Sequence, residues 1–392
     1  MLSKLVLPVY LPCLLINGSV AMLVPVLPLY LADTGLSATS IGIVIAAAGA
    51  GGMLSQIALG QALTHRSETS VMVASVALMA ATTALLGAVG GAVALATLRL
   101  FGGVGSAGWL LSRQTFLTRT VGIGVRGRAM AVFGGTTRVA FLIGPLLGGY
   151  IADQYGFRFA FTAIAAIGLT GALPVLIWQK RAADSSGPAE RRVNKSERPS
   201  LRPHRRALLT AGFGQVLVVA VRQGRFVVLP LIGLSIGLSA SEVGVLIGIG
   251  SLADLVLFPA SGYIMDRFGR LMAICPALIL MGVGLLLLAV ADTRLAVTIA
   301  AAVIGVGNGL GSGTMLTLSA DLAPLQSPSN FLAALGTIRD AGRIAGPFLV
   351  GWSADRAGLS WSAAMLAVLA FVAVVVFIVG VGETRQITPT PA

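Results

Sequence analysis

Charged residues are scarce in this chain of 392 residues, since Asp, Glu, Lys and Arg make up only 10% of it. Soluble globular domains carry about 25% charged residues, so this scarcity excludes an ordinary water-soluble fold. Intrinsic disorder is excluded by the opposite property, because 56% of the residues are hydrophobic and the mean hydropathy is +0.93. The composition is typical of a chain that lies in a membrane.

Cysteine and histidine are equally scarce, with two residues of each. Cys13 and Cys275 both lie in apolar runs, which excludes a disulfide framework and a zinc site. His65 and His204 lie in polar segments, and the sequence has no nucleophile–base set, metal-ligand spacing or phosphate-binding loop. We therefore predict that the chain is not an enzyme, binds no metal or cofactor, and is not driven directly by ATP.

Apolar runs long enough to cross a bilayer recur along the whole chain, and we number them as spans 1 to 12. They lie at roughly 8–31, 40–62, 70–90, 92–115, 129–151, 157–179, 207–232, 241–263, 270–291, 294–318, 331–352 and 360–381. We predict an all-α membrane protein with twelve transmembrane helices.

The distribution of basic residues predicts the orientation of these spans. Of the 27 Lys and Arg residues, 17 lie in segments that are cytoplasmic when the N-terminus is inside, and 3 lie in the opposite loops. The densest basic stretch, 180–206, has no aromatic residue to stack on bases, so we predict contact with membrane lipid and none with nucleic acid. We expect a multi-pass protein of the inner (plasma) membrane with both termini in the cytoplasm.

The two halves of the chain repeat each other at a constant shift of 202 residues. The matched positions are Val26-Leu27-Pro28-Leu29 with Val228-Leu229-Pro230-Leu231, Gly60 with Gly262, Gly144-Pro145 with Gly346-Pro347, and Asp153 with Asp355. Two parallel repeats predict two six-helix bundles, 1–179 and 207–392, joined by the basic linker 180–206. Transporters built from such repeats bind their substrate between the repeats, near mid-membrane.

Three segments carry motifs of a known family. They are Gly262-Tyr-Ile-Met-Asp266-Arg267-Phe-Gly269-Arg270 between spans 8 and 9, Arg99-Leu-Phe-Gly102-Gly103-Val-Gly105 in span 4, and Gly144-Pro145-Leu-Leu-Gly148-Gly149 in span 5. With these motifs the chain resembles the major facilitator superfamily over essentially its whole length. The segment at Gly144 resembles the signature of the family's exporters, which implies proton-coupled efflux. The first-half loop departs from the family pattern, with Thr64 in place of Asp.

The charged residues of the loop after span 8 also predict a role from their electrostatics alone. Asp266 can face the positive N-terminus of span 5 or pair with Arg126 or Arg128, and so latch the cytoplasmic side. Arg267 and Arg270 can pair across the same loop. The alternative is that these residues are ordinary cytoplasmic loop charge.

Placing a charged side chain within a span costs free energy, so each such residue needs a partner or a function. Arg138 and Asp254 both lie roughly 12–14 Å from the cytoplasmic ends of spans 5 and 8, so we predict a pair at the moving interface between the halves. The alternative is a permanent structural ion pair. Span 11 carries Arg339, Asp340 and Arg343 on one face. Either Asp254 or Asp340 is the candidate proton carrier.

The remaining embedded polar residues are candidates for the wall of a substrate cavity. They are Arg222 and Arg225 in span 7, Arg339 and Arg343 in span 11, Asn17 in span 1, Gln56 in span 2, Gln114 in span 4 and Asn308 in span 10. For the Asn and Gln residues the alternative is a helix–helix hydrogen bond. For Arg222 and Arg225 the alternative is contact with headgroups or helix-end carbonyls. Arg113 lies near a span end, where its side chain is expected to reach the membrane surface.

These observations predict a monomeric secondary transporter that uses protons to export small amphipathic molecules, neutral or anionic and including drugs. Seven embedded Arg residues against two Asp disfavour a carrier of organic cations. One alternative is an importer or exchanger of organic anions, which requires Arg222, Arg339 and Arg343 to converge in one cavity. Another is a membrane sensor without transport activity, which predicts occluded packing with no cavity.

Overall fold

A computed structural model describes residues 10–120, 123–179, 204–324 and 328–384, and these residues form helices and no strands. Most of the linker, 180–203, lies outside the described residues. The helices are α1 (Leu11–Asp33), α2 (Ala38–His65), α3 (Glu68–Leu86), α4 (Ala92–Thr120), α5 (Ile123–Thr170), α6 (Ala172–Pro174), α7 (Arg205–Ser235), α8 (Ala240–Phe268), α9 (Arg270–Ala289), α10 (Arg294–Leu310), α11 (Thr314–Leu322), α12 (Pro328–Ala357) and α13 (Leu359–Val375). Wider π turns, Val175–Gln179 and Val376–Val381, follow α6 and α13.

Ten helical stretches within these ranges are long and apolar enough to cross a membrane. The longest, Val132–Ile177, is divided at Gly156, whose φ of 81° and ψ of 163° interrupt the helix. The 30-residue helix α12 is not among the ten, because Arg339, Asp340 and Arg343 make its middle polar. The predicted all-helical membrane fold is confirmed, and the count of twelve spans stays a prediction.

The hydrophobic core joins the two halves at one end of the molecule. We call the end where Gln179 and His204 lie the linker end, which is the predicted cytoplasmic side, and the opposite end the far end. The largest apolar cluster combines residues of both halves, such as Leu31 and Val243 near the far end. Clusters described nearer the linker end belong to one half each, around Trp109 in the first and Phe377 in the second. The halves therefore share a core toward the far end and separate toward the linker end.

Two helix pairs make the most extensive contacts between the halves in the described part of the chain, and they are related by the 202-residue repeat. Helix α5 packs against α8, and α12 packs against α2. A Cβ atom at Gly149 would overlap the carbonyl of Ala240, and one at Gly351 would overlap the carbonyl of Ala38. Glycine thus lets the backbones approach as closely as small-residue contacts allow in membranes.

We expect Gly149→Val to destabilise the contact between α5 and α8, because overpacking typically costs about 1–3 kcal/mol. Gly135→Val is the matched control, since Gly135 lies in the same helix and a Cβ there meets no atom within 4 Å. Thermal unfolding in detergent should show a lower Tm for Gly149→Val than for Gly135→Val. Equal Tm values would contradict the close approach at Gly149.

Candidate functional site

A cavity of about 570 Å³ lies between the first half and α12. Its volume falls within the range of about 300–1,000 Å³ that is usual for small-molecule sites. Much of its wall is apolar, with Leu23, Ile45, Met53 and Leu110 among its residues. Its amide and charged side chains are Gln56, Arg99, Gln114, Gln223, Arg339, Asp340 and Arg343. Such a wall suits a molecule with an apolar body and a polar or charged group.

Asp340 is the carboxylate in this wall, and only 7% of the residue is exposed. The side-chain amide of Gln56 donates a hydrogen bond of 2.6 Å to its Oδ2 atom. The Nε atoms of Arg339 and Arg343 lie 3.6 Å and 3.5 Å from its Oδ1 atom, which accepts no hydrogen bond within the described residues. These ion pairs are longer than the 2.7–2.9 Å of strong charge-assisted hydrogen bonds, so they are loose contacts.

The charged residues of the wall do not balance. Arg99, Arg339 and Arg343 face the cavity with one carboxylate, Asp340. The Nε of Arg99 is buried without a hydrogen bond, and no ion pair to Arg99 occurs in the described part of the chain. The wall therefore carries two uncompensated positive charges.

A second charged cluster surrounds Asp254 in α8. The Nε of Arg138 in α5 lies 3.8 Å from the Oδ2 of Asp254, and Ser312 donates a hydrogen bond of 3.2 Å to its Oδ1. The guanidinium carbon of Arg138 also lies 3.9 Å from the centre of the Phe258 ring. Arg138 and Asp254, which were predicted to meet from their depth along the helices, are therefore neighbours. Their part in the transport cycle stays a prediction.

The repeat relates the two clusters to each other. A shift of 202 residues places Asp340 on Arg138 and Gln56 on Phe258, and in each case the two residues bridge the halves. Equivalent positions therefore hold opposite charges, with the negative one bonded to an amide and the positive one stacked on a ring. The bundle is symmetric in fold and asymmetric in charge.

Two carboxylates hold the halves together at the far end. Asp153 of α5 accepts hydrogen bonds of 3.0 Å from the backbone N–H groups of Ala240 and Ser241, which begin α8. Its repeat partner, Asp355 of α12, accepts bonds of 2.9 Å and 2.8 Å from the N–H groups of Ala38 and Thr39, which begin α2. A negative charge at a helix N-terminus is stabilised by the unpaired N–H groups and the helix dipole.

Both far-end carboxylates lie beyond the predicted apolar spans, 129–151 and 331–352, and are exposed. Partial burial raises the pKa of each carboxyl, but hydrogen bonds from the facing helix start outweigh burial, so the pKa of Asp153 and of Asp355 is lowered. The sequence analysis matched these residues in the repeat but proposed no partner for either of them. The serines that cap α2 and α8, Ser37 and Ser239, were the available signal.

The charged loop between α8 and α9 makes its described contacts within the second half. Asp266 is 83% exposed at its side chain and lies 3.6 Å from Arg270, whose Nε bonds Asp321 at 2.8 Å. Arg267 donates to the hydroxyl of Tyr263 at 3.2 Å. The side chains of Arg126 and Arg128 lie outside the described residues, so the latch between Asp266 and the first half stays a prediction.

The start of α9 has a partner that the sequence analysis did not single out. Glu383 accepts hydrogen bonds of 2.9 Å and 3.0 Å from the backbone N–H groups of Arg270 and Leu271. Gly269 precedes them with a φ of 104°, and a Cβ there would lie 2.5 Å from the carboxylate of Glu383. This glycine is therefore needed both for its backbone conformation and for the space it leaves.

The other predicted residues are placed as follows. Gln56, Gln114, Arg339 and Arg343 line the cavity, whereas Asn17, Arg222, Arg225 and Asn308 are not part of its wall. Gly144 allows α5 to approach α1, because a Cβ there would lie 2.7 Å from the carbonyl of Gly18, and Pro145 follows within α5. Gly262 has open space around it.

Asn17 lies in a buried polar cluster around Arg113. Its amide donates a hydrogen bond of 3.1 Å to Thr137, and Arg113 donates one of 3.2 Å to the sulfur of Cys13. Arg113 is 4% exposed and its guanidinium carbon lies 3.7 Å from the centre of the Phe133 ring. The expectation that Arg113 reaches the membrane surface is therefore wrong, because aromatic and polar neighbours hold the side chain inside.

We expect the double variant Asp153→Ala/Asp355→Ala to open the far end. Each contact contributes about 1 kcal/mol, so losing both shifts the ratio of open to closed molecules on the order of tenfold or more. The measurement is labelling of Val243→Cys, a position that is fully buried, with a membrane-impermeant maleimide in a background without Cys13 and Cys275.

The matched control for this experiment is Asp33→Ala, which removes an exposed far-end carboxylate without a described contact. The lowered pKa values of Asp153 and Asp355 set the pH dependence of these two contacts. The contacts stabilise the closed far end at neutral pH, and this stabilisation is lost only as the pH falls through the lowered pKa values. Labelling that does not change in the double variant would contradict the role of both carboxylates.

The comparisons with known proteins agree with this architecture. The sequence model of the Major Facilitator Superfamily matches residues 13–347 and 211–392. An uncharacterized MFS-type transporter of Methanocaldococcus jannaschii is 20% identical over 345 residues, which are 87% of this chain and 89% of the relative. The quinolone resistance protein NorA of Staphylococcus aureus is 27% identical over 153 residues, 38% of this chain and 39% of NorA.

Among solved structures, the chain is similar to a bacterial homolog of the human lysosomal transporter Spinster in an inward-facing and occupied conformation. The TM-score is 0.80 at 14% sequence identity, with 99% of each chain covered. The family and these neighbours are membrane transporters, which confirms the prediction that the chain is not an enzyme. The chain is an integral membrane protein and belongs to the major facilitator superfamily.

Proposed function

We propose that this transporter uses protons to export small amphipathic molecules, neutral or anionic, by alternating access from the plasma membrane. The observation that carries the proposal is the 570 Å³ cavity, which has an apolar wall and a loosely paired carboxylate, Asp340. The cavity also contradicts what a sensor without transport activity predicts, namely occluded packing.

The closed far end supports an inward-facing form of the cycle. Asp153 and Asp355 cap helices of the opposite half, and the shared apolar core lies on the same side. At the linker end Asp266 is exposed and its described ion-pair partner is Arg270 of its own half, and we propose that the cytoplasmic latch forms when this end closes. Rocking the halves around the cavity would close that end and open the other.

Asp340 and Asp254 are the proposed proton carriers. Protonation of either carboxylate removes its attraction to arginine, Arg339 and Arg343 for Asp340 and Arg138 for Asp254. Both carboxylates lie at contacts between the halves, so a change in charge there acts on the interface that must rearrange. Efflux as the direction is supported by the motif at Gly144-Pro145, and the similarity over 38% of the chain to a protein named for quinolone resistance is consistent with it.

We expect Asp340→Asn and Asp254→Asn each to abolish proton-driven accumulation of a fluorescent neutral amphiphile in inverted vesicles with an acidic lumen. The amide retains the shape of the carboxyl group but cannot cycle between charged and neutral forms. Asp292→Asn is the control, because Asp292 is exposed and makes no described contact. A variant that keeps full coupling removes that residue from the proposed proton path.

An importer or exchanger of organic anions is the second candidate. Its favourable observation is the excess of two positive charges in the wall, from Arg99, Arg339 and Arg343 against Asp340. Arg222 does not join them, so the convergence that this candidate requires is only partial.

A thermal-shift comparison of cationic, neutral and anionic amphiphiles with one alkyl chain length separates the candidates. A ligand at about 100 times its Kd stabilises the folded state by about 2.7 kcal/mol. If the anion stabilises the protein most and Arg99→Gln or Arg343→Gln removes the effect, the cavity wall binds anions. This result favours the importer or exchanger of organic anions. If the neutral amphiphile stabilises all variants equally, these arginines do not select the substrate.

A further inference from the structure

Three arginines share one carboxylate in the cluster around Asp254. Arg138 lies 3.8 Å from Asp254, and Arg222 donates a hydrogen bond of 3.0 Å to the carbonyl of Gly311. Arg222 and Arg225 are both attracted electrostatically to Asp254, and Arg225 is repelled by Arg222. Within the described residues this cluster has an excess of two positive charges. Buried charges of this kind are stable only when they are paired or hydrogen-bonded.

Arg225 is the least compensated of the three. The described part of the chain offers it no carboxylate within 4.0 Å, and its buried Nε has no hydrogen-bond partner there. Its guanidinium carbon lies 4.7 Å from the centre of the Phe226 ring, a contact that stabilises the cation and leaves its N–H donors free. Arg225 therefore presents a buried Nε–H donor without a partner, and no ion pair within 4.0 Å balances its charge in the described part of the chain.

A small cavity adjoins Arg225, separate from the large one. Its volume is about 30 Å³, and Ser251 of α8 lines it together with apolar residues such as Leu229, Ile247 and Ile304. No hydrogen bond of the Ser251 hydroxyl occurs within the described residues. The cavity thus combines one cation and one free hydroxyl with an otherwise apolar wall.

We propose that this cavity is a binding site for a small inorganic monovalent anion of the size of chloride. Arg225 supplies the opposite charge, and the Ser251 hydroxyl supplies a second donor. A volume of about 30 Å³ accommodates a monatomic anion, whereas the body of an organic carboxylate would have to stay outside the cavity. A water molecule would satisfy the donors but would leave the charge of the cluster unchanged.

The site is independent of the proposed cargo and acts on the same interface. Arg225 interacts with Asp254, and Asp254 pairs with Arg138 of the other half. An anion beside Arg225 lowers the positive excess of the cluster and weakens the repulsion among its arginines. Occupancy should therefore stabilise the contact between α5 and α8.

The test is thermal unfolding of the purified full chain in sodium chloride against sodium gluconate at equal ionic strength. We expect a saturable rise in Tm with chloride and with bromide, and none with gluconate or sulfate, which are too large for the cavity. Arg225→Gln should abolish the rise, and Ser251→Ala should weaken the apparent chloride affinity several-fold. Arg356→Gln, at an exposed far-end arginine, should leave the chloride response unchanged.

Two outcomes would overturn the proposal. One is a Tm that does not depend on chloride, which means that the cavity holds water only. The other is an equal chloride response in Arg225→Gln and in the unsubstituted chain, which places the effect elsewhere. If Arg225→Gln does not fold, Ser251→Val gives the same test, because the added methyl groups fill the cavity and should remove the chloride response.

Discussion

The attraction between a carboxylate and the start of a helix in the opposite half is the interaction on which this structure depends. Asp153 reaches the first N–H groups of α8, and Asp355 reaches those of α2. These contacts need no special loop, because unpaired N–H groups are present at every helix start. They are strong enough to hold one end of the molecule closed and weak enough, at about 1 kcal/mol each, to be broken in a cycle.

Close packing and charge act together along the same two helix pairs. At the far end glycine lets α5 meet α8 and α12 meet α2 at backbone distance. Nearer the middle of the membrane, the same pairs are joined by Arg138 with Asp254 and Phe258, and by Asp340 with Gln56. Each interface therefore has an exposed outer contact that is fixed in charge at neutral pH and an inner contact whose carboxylate is more buried. The repeat-equivalent residues of the two inner contacts carry opposite charges, negative at Asp340 and positive at Arg138.

Much of the fold follows from the sequence, because membrane spans are continuous apolar runs and the repeat has one constant shift. The proximity of Arg138 and Asp254 was also predictable, since the rise of a helix converts residue number into depth. Depth alone does not give the position of a residue around the bundle. For this reason Arg222 and Arg225 were grouped with Arg339 and Arg343, although the structure places them in different clusters. The contacts of Asp153 and Asp355 were not predicted, because an acidic residue at the edge of a span has the same local sequence pattern whether its side chain contacts water or the start of a helix.

The measurement that tests the account most directly is a pair of spin-label distances across the halves, one at each end. Thr34→Cys with Ser235→Cys reports on the far end, and His65→Cys with Phe268→Cys reports on the linker end, all at exposed positions. The account predicts a short, narrow distribution at the far end and a longer, broader one at the linker end. It also predicts that any condition that lengthens the first distance shortens the second. Two distances that lengthen together, or a linker end as short and narrow as the far end, would contradict alternating closure of the two ends.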